Sequence, residues 1–267
     1  MLTGRTRLVG LIGNPVSESL SPRMQNAAFA ARGLEWAYVP LGVAPDELEE
    51  AAVGLVALGF AGANVTTPYK TAILSYCDEL DEVAERAGSV NTLVVRDRRL
   101  LGSSTDGQAV VEAVEPAGAS VLVLGAGGAA QAVATALAEA GVASLTVAAR
   151  TAERAHALAV RLRTLFPELN VNAEDEWPPS AEAGLVVNTT PIRDQVIVQP
   201  GSEQQVVDLA YNADGRPTAF VAAAREQGCP TVDGLDVLVG QGAASFELWT
   251  GIPAPVDVMR AALGLVS

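Results

Sequence analysis

The chain is 267 residues long, 49% hydrophobic and 18% charged, with 31 acidic against 17 basic residues and a formal net charge of −14. It is long enough for one large domain or two ordinary ones with a real core, and too apolar to be disordered. An acidic surface of this kind repels nucleic acid and anionic membranes, which excludes both as expected partners.

Hydrophobic patterning predicts alternating strands and helices through the first half. Residues 7–12 read as a strand, and 22–32 as a helix with Ser21 as N-cap and Pro22 at its first position. Residues 36–41 read as a strand and 46–58 as a helix with acidic first turns. Residues 62–65 form a short strand running into the loop 66–70. A helix near 78–87 and strands at 91–96 and 99–102 follow. From Ser120 the alternation is more regular: a buried strand, a glycine turn and an alanine-rich helix closed by Gly141, then the strand 144–150 and the helix 151–166. Short apolar runs at 185–188, 206–209 and 231–232 supply further strands, and helices at about 236–249 and 256–265 end the chain. Such alternation indicates an α/β protein whose second half is a doubly wound parallel sheet.

No apolar run reaches the roughly 18 residues of a membrane helix. The stretch 8–12 is too short to read as a signal peptide. Cys77 and Cys229 are isolated, lack metal-ligand spacing and read as reduced thiols in a cytoplasm. Of the 17 basic residues 16 are arginine, and Lys70 is the only lysine. Either the chain simply favours arginine, or it keeps one lysine where a proton must move, since arginine stays protonated at any relevant pH.

Gly125-Ala126-Gly127-Gly128-Ala129-Ala130 fits G-x-G-x-x-A between a strand and a helix. Gly125 permits the tight turn, Gly127 lets the backbone approach a pyrophosphate, and Ala130 lets helix and strand pack closely. The N–H groups at the helix start face the phosphates. NAD sites place a carboxylate at the end of the next strand for the ribose 2′-hydroxyl. Here that strand ends in Arg150 and Thr151, with Arg154 a turn later, a pair of guanidiniums suited to the 2′-phosphate of NADP.

The first half carries polar clusters in apolar surroundings: Ser17, Ser19 and Ser21; Asn64, Thr66 and Lys70; Asn91; and Asp106. Gln241 sits in a glycine-rich helix near the end. Any one of these is ordinary turn or cap chemistry; together they suit a small polyhydroxylated acid. In these segments, and in 188–191 (NTTP) and 208–211 (DLAY), the chain resembles the shikimate dehydrogenase family over essentially its full length.

The resemblance implies a substrate domain at 1–105, an NADP-binding Rossmann domain at 106–240, and C-terminal helices at 241–267 packing back toward the first. It implies that Ser19 and Ser21 hold a substrate carboxylate, that Thr66, Asn91, Tyr211 and Gln241 contact or flank ring hydroxyls, and that Lys70 and Asp106 are the catalytic pair. On the cofactor side it implies Gly125, Ala126, Gly127, Gly128, Ala129, Arg150, Thr151, Arg154, Leu209 and Gly234. The implied reaction is reversible reduction of 3-dehydroshikimate to shikimate in aromatic amino acid biosynthesis, with no metal and with a homodimer left open.

Four positions depart from the family pattern: Glu18 replaces a usual His, Ser104 and Ala149 each replace an Asn, and Val237 replaces a common Met. Glu18 places an anion beside the expected carboxylate pocket and bears on substrate identity. Three other readings stand beside this one: a quinate or aminoshikimate dehydrogenase, a tetrahydrofolate-linked dehydrogenase of similar plan, and a catalytically silent nucleotide-binding module. The single histidine, His156, reads as a solvated or packed helix residue, and Gly107 and Gly234 read as places where a hinge could act.

Overall fold

In a computed structural model, which describes residues 2–179 and 182–265, the chain forms two compact units. The first comprises Met1–Thr105 with Leu238–Ser267, and the second Asp106–Val237.

In the first unit, the apolar runs become β1 (Arg7–Gly13), β2 (Trp36–Gly42) and β3 (Gly62–Val65), with α1 (Ser21–Ala31) and α2 (Leu48–Ala57) between them. A 3₁₀ turn at Ala72–Tyr76 follows. Then come β4 (Glu79–Leu80), α3 (Glu82–Ala87), β5 (Thr92–Arg96) and β6 (Arg99–Ser103). The six strands form one sheet in the order β2-β1-β3-β5-β6-β4. β1 is parallel to both β2 and β3, while β5 runs antiparallel to β3 and β6. A core of Ile12, Leu55, Ala63, Val65, Ile73, Val90 and Leu93, among others, packs on it.

Two details differ from the expectation. The helix forecast over 78–87 begins only at Glu82. Asp78 accepts the Leu100 N–H (2.7 Å), and Asp81 accepts from the Ser103 hydroxyl and from the Ala84 N–H (2.7 Å). Those bonds hold residues 79–80 as a strand beside β6 and make Asp81 the helix cap. At α1 the flanking position is Leu20, and no side chain caps the helix. Ser19, two residues before the first helical residue, serves the helix start instead, its Oγ accepting the Ser21 N–H at 3.2 Å.

In the second unit, α4 (Asp106–Val114) precedes β7 (Ser120–Leu124), α5 (Gly128–Glu139), β8 (Ser144–Ala148), α6 (Ala152–Leu165) and β9 (Asn170–Glu174). β10 (Leu185–Asn188), β11 (Gln205–Asp208), α7 (Ala219–Glu226) and β12 (Thr231–Val232) complete it. All six strands are parallel, in the order β12-β11-β10-β7-β8-β9. This is the dinucleotide-binding order, in which strand succession reverses between β7 and β10. Apolar residues cover both faces of the sheet, as a parallel sheet requires.

The helix α8 (Gly234–Thr250) opens in the second unit and gives most of its length to the first, and α9 (Val256–Ala262) is the last described element. In the first unit the Trp249 indole donates to the Leu93 carbonyl (2.9 Å). A side chain at Gly62 would collide with both groups, so β3 needs a glycine there. Gly107 and Gly234, read above as places for a hinge, are sites of close approach. Gly107 leaves no room beside Ala132 and Ala136 of α5, and Gly234 abuts the carbonyls of Leu209 and Ala210.

Candidate active site

In the first unit the polar residues gather where β3, β5 and α8 meet. The Asn64 amide donates to the Asn91 carbonyl (3.0 Å), Thr92 Oγ1 (3.2 Å) and Ser245 Oγ (3.0 Å), and its Oδ1 accepts the Tyr38 hydroxyl (2.8 Å). Asn91, 2% exposed, donates from Nδ2 to Thr105 Oγ1 (2.8 Å) and to Gln241 Oε1 (3.2 Å). Its Oδ1 accepts the Thr105 N–H at 2.8 Å. Gln241 Nε2 returns to the Leu238 carbonyl (3.0 Å), and the Thr105 hydroxyl donates to the Gln241 carbonyl (3.1 Å). Asn91 and Gln241 are thus brought together with their rotamers fixed by neighbours, as a rigid recognition surface requires. Tyr38, Thr105 and Ser245 were not singled out in the sequence.

The strand-end loops lie alongside one another. Thr66 donates its N–H to the Ile12 carbonyl (2.9 Å), and Asn14 donates to the Thr67 carbonyl (3.1 Å). The space a Gly13 side chain would need is filled by the Thr66 methyl. The serine loop after β1 and the Thr66–Lys70 loop after β3 are therefore neighbours. The Lys70 carbonyl accepts the Val90 N–H at 2.8 Å, which fixes its backbone next to the Asn91 segment. Ser19 and Lys70 are half-buried and Ser21 is buried. Ser21 is the first residue of α1, whose flanking Leu20 makes no side-chain cap bond. Glu18 is exposed. Ser104 is buried, and its Oγ has no hydrogen-bond partner among the described residues.

The second unit holds the other candidates. Asp106, 5% exposed, is the first residue of α4. The glycine turn follows β7: Gly125 has φ +116°, a conformation that side chains resist, and Thr189 Oγ1 fills the place its Cβ would take. Thr189 is itself tied to the Leu124 carbonyl by its N–H (2.9 Å) and its hydroxyl (2.7 Å). The turn is thereby braced across the point where strand order reverses. Gly127, by contrast, faces open space and caps α5 without any side-chain bond, and no acidic residue occupies the first turn of that helix. Ala130 is fully buried. Free N–H groups, an unopposed helix dipole and an unobstructed approach fit a pyrophosphate.

At the end of β8, Arg150, Thr151 and Arg154 are all exposed, and Thr151 flanks α6 without a side-chain cap bond. Ala149 and Val237 are buried in the core, so neither offers a polar contact. His156 pairs with Asp175 on the surface of α6, its Nε2 2.6 Å from Oδ1.

Loops at the ends of β10 and β11 carry Leu209, Tyr211 and Arg193, the last with its guanidinium 5.9 Å from the Tyr211 ring centroid. Below them Asp208 is fully buried. Its carboxyl is pushed up to about 6 by burial, partly offset by donors on Thr218, Ala210 and Asn188, with Asp233 adding to the rise. Sequence motifs flagged NTTP and DLAY but assigned no role to their Asn188 and Asp208. Among the described residues, no three His, Cys, Asp or Glu side chains are grouped to hold a metal ion, and no helix is long and apolar enough to cross a membrane.

Three family models match the chain in succession. The shikimate dehydrogenase substrate binding domain covers residues 11–93, shikimate / quinate 5-dehydrogenase covers 108–210, and the shikimate 5′-dehydrogenase C-terminal domain covers 234–263. The chain belongs to the shikimate dehydrogenase family. Among its relatives in that family, the shikimate dehydrogenase (NADP(+)) of Moorella thermoacetica is 47% identical over 283 residues, covering 98% of this chain and 95% of that one. The crystal structure of shikimate 5-dehydrogenase from Thermus thermophilus in complex with NADP(H) and shikimate has a TM-score of 0.83 at 34% identity, covering 97% of this chain and 98% of that chain. The ligand-free 5-ketofructose reductase of Gluconobacter sp. strain CHM43 is also similar. Its TM-score is 0.87 at 30% identity, covering 98% of this chain and 99% of that chain.

Proposed function

We propose that this chain is an NADP-dependent shikimate dehydrogenase that interconverts 3-dehydroshikimate and shikimate. The observation that carries this reading is the fixed Asn91–Gln241 pair (3.2 Å) beside a loop bearing the chain's only lysine, in a member of this family. NADPH, when bound, would supply the hydride that the substrate carbonyl carbon accepts. As charge grows on the carbonyl oxygen, the Lys70 ammonium donates a proton to it and takes it back in the reverse direction, with Asp106 orienting that ammonium. Ser19 and Ser21 hold the substrate carboxylate through their hydroxyls, and Thr66, Asn91, Gln241 and Tyr211 meet the ring hydroxyls. The exposed Arg150 and Arg154, with Thr151, take the adenosine 2′-phosphate, and the glycine turn takes the pyrophosphate. Leu209 and Gly234 line the remainder of the cofactor site. We place the protein in the cytoplasm, which its two free cysteines support, and leave a homodimer to measurement.

Following NADPH absorbance with 3-dehydroshikimate tests the reading directly. Parallel trials with dehydroquinate, an aminoshikimate precursor and a keto-sugar test what Glu18 does to substrate choice. Oxidation with a keto-sugar alone would move the assignment toward the Gluconobacter reductase. Cofactor binding without oxidation of NADPH by any of them would favour a silent binding module.

A further inference from the structure

The proposed chemistry gives no role to Asp208, a carboxylate buried at the carboxyl edge of the second sheet. Asp208 ends β11 directly opposite Asn188 of β10, and both are 0% exposed. A charge in such a place is costly unless its donors need it. The donors here are unusually telling, because they belong to the segments that leave the sheet. Asp208 Oδ1 accepts from Asn188 Nδ2 (2.8 Å) and from the Ala210 N–H (2.9 Å), and Oδ2 accepts the Thr218 hydroxyl (2.5 Å). Thr218 in turn caps α7. Asn188 Oδ1 accepts both the N–H (2.9 Å) and the hydroxyl (2.7 Å) of Thr190.

One buried pair therefore sets the start of two loops. The loop after β10 passes the glycine turn, where Thr189 occupies the space above Gly125; the loop after β11 abuts Gly234 through the Leu209 and Ala210 carbonyls. In this strand order a dinucleotide lies across the carboxyl edge. With its adenosine end at Arg150 beyond β8 and its pyrophosphate at the turn after β7, its other end crosses toward β10 and β11.

We propose that Asp208, together with Asn188, is a positioning residue that fixes the rim on which the nicotinamide half of NADP rests. The adenosine half depends on the arginines and not on this pair. The inference rests on the NADP reading above. The raised carboxyl agrees with it, since a strained buried charge is retained here for the three donors it holds.

The test compares two ligands that need no substrate: NADPH, followed by its fluorescence, and 2′,5′-ADP, which has the 2′-phosphate but no nicotinamide. Asp208→Ala is expected to weaken NADPH about tenfold or more, a loss of about 1.4 kcal/mol per decade, with 2′,5′-ADP affinity within about twofold of the parent. Its turnover should fall by on the order of 100-fold, as misplacement near 1 Å produces. Asp208→Asn keeps an acceptor for Asn188 and Ala210 and is expected to recover most of the NADPH affinity. Thr190→Val, on a half-buried residue, removes the hydroxyl bond to Asn188 and the weaker bond that hydroxyl accepts from the Ile192 N–H (3.3 Å), both within the loop after β10. It should weaken NADPH selectively, and it decides the matter if Asp208→Ala does not fold. Equal losses for both ligands, no loss of NADPH, or an Asn variant no better than Ala would overturn the proposal. Failure of the unaltered protein to bind 2′,5′-ADP would instead overturn the cofactor reading on which it depends.

Discussion

Replacing Asp208 by Asn should make the second unit more stable at neutral pH, and the gain should vanish in acid. The carboxyl sits at about 6 in the folded protein against an ordinary value of 3.8. At about 1.36 kcal/mol per pH unit, that rise corresponds to about 3 kcal/mol. An acid with a raised folded pKa binds its proton more tightly when folded, so stability is greatest at low pH. It declines as pH rises from about 4 through about 6, then levels off. Between pH 5 and 7.5 roughly half of the 3 kcal/mol should be lost. The neutral amide cannot titrate, so Asp208→Asn should lack this component of the slope. A local probe exists in Trp177, which packs against the second unit's core cluster with Phe220 and Val206. With Trp36 and Trp249 changed to Phe, its emission would follow urea unfolding at pH 5, 6 and 7.5 with and without the Asn substitution. Parallel stability curves for the two proteins across that range would refute the argument.

Lys70→Met should depress turnover by about 10²- to 10⁴-fold with a much smaller change in KM for shikimate; steady-state kinetics with near-normal turnover would remove the proton role. Arg150→Ser should weaken NADP by about tenfold, through loss of a charge-assisted bond, and leave NAD unchanged in calorimetric titration. Gly62→Ala should destabilise the first unit by about 1–3 kcal/mol, because the new methyl meets the Leu93 carbonyl and the Trp249 indole; thermal melting reads it.

Where one short segment carries a whole function, the sequence alone was sufficient. The turn at 125–130 needs fixed glycine spacing between a strand and a helix, and β10 is an apolar run that ends on Asn188, so each could be located. Elements shaped by distant partners could not. β4 exists because Asp78 and Asp81 bond to residues of β6. β9 buries only Val171 and carries Asn170 and Asn172, so its alternation is faint. The eight residues of α7 form too short a pattern to stand out. The helix α4, where only a domain boundary was expected, begins at Asp106 itself. In the candidate site, Asn64, Asn91 and Gln241 were visible as polar residues in apolar surroundings. Their partners Tyr38 and Ser245 were not, since the bonds to Asn64 span 26 and 181 residues. The Asn188–Asp208 pair was visible only as two fragments of motif, 20 residues apart.

Both sheets finish on one side with a strand of only two residues, β4 and β12. Their opposite margins are blunted by other means: β2 carries Pro40, which has no N–H to offer, and β9 presents Asn170, Asn172 and Glu174. A folded copy of this chain therefore gives its neighbours little backbone to pair with. At high concentration, folded copies should stay apart rather than join edge to edge through their sheets.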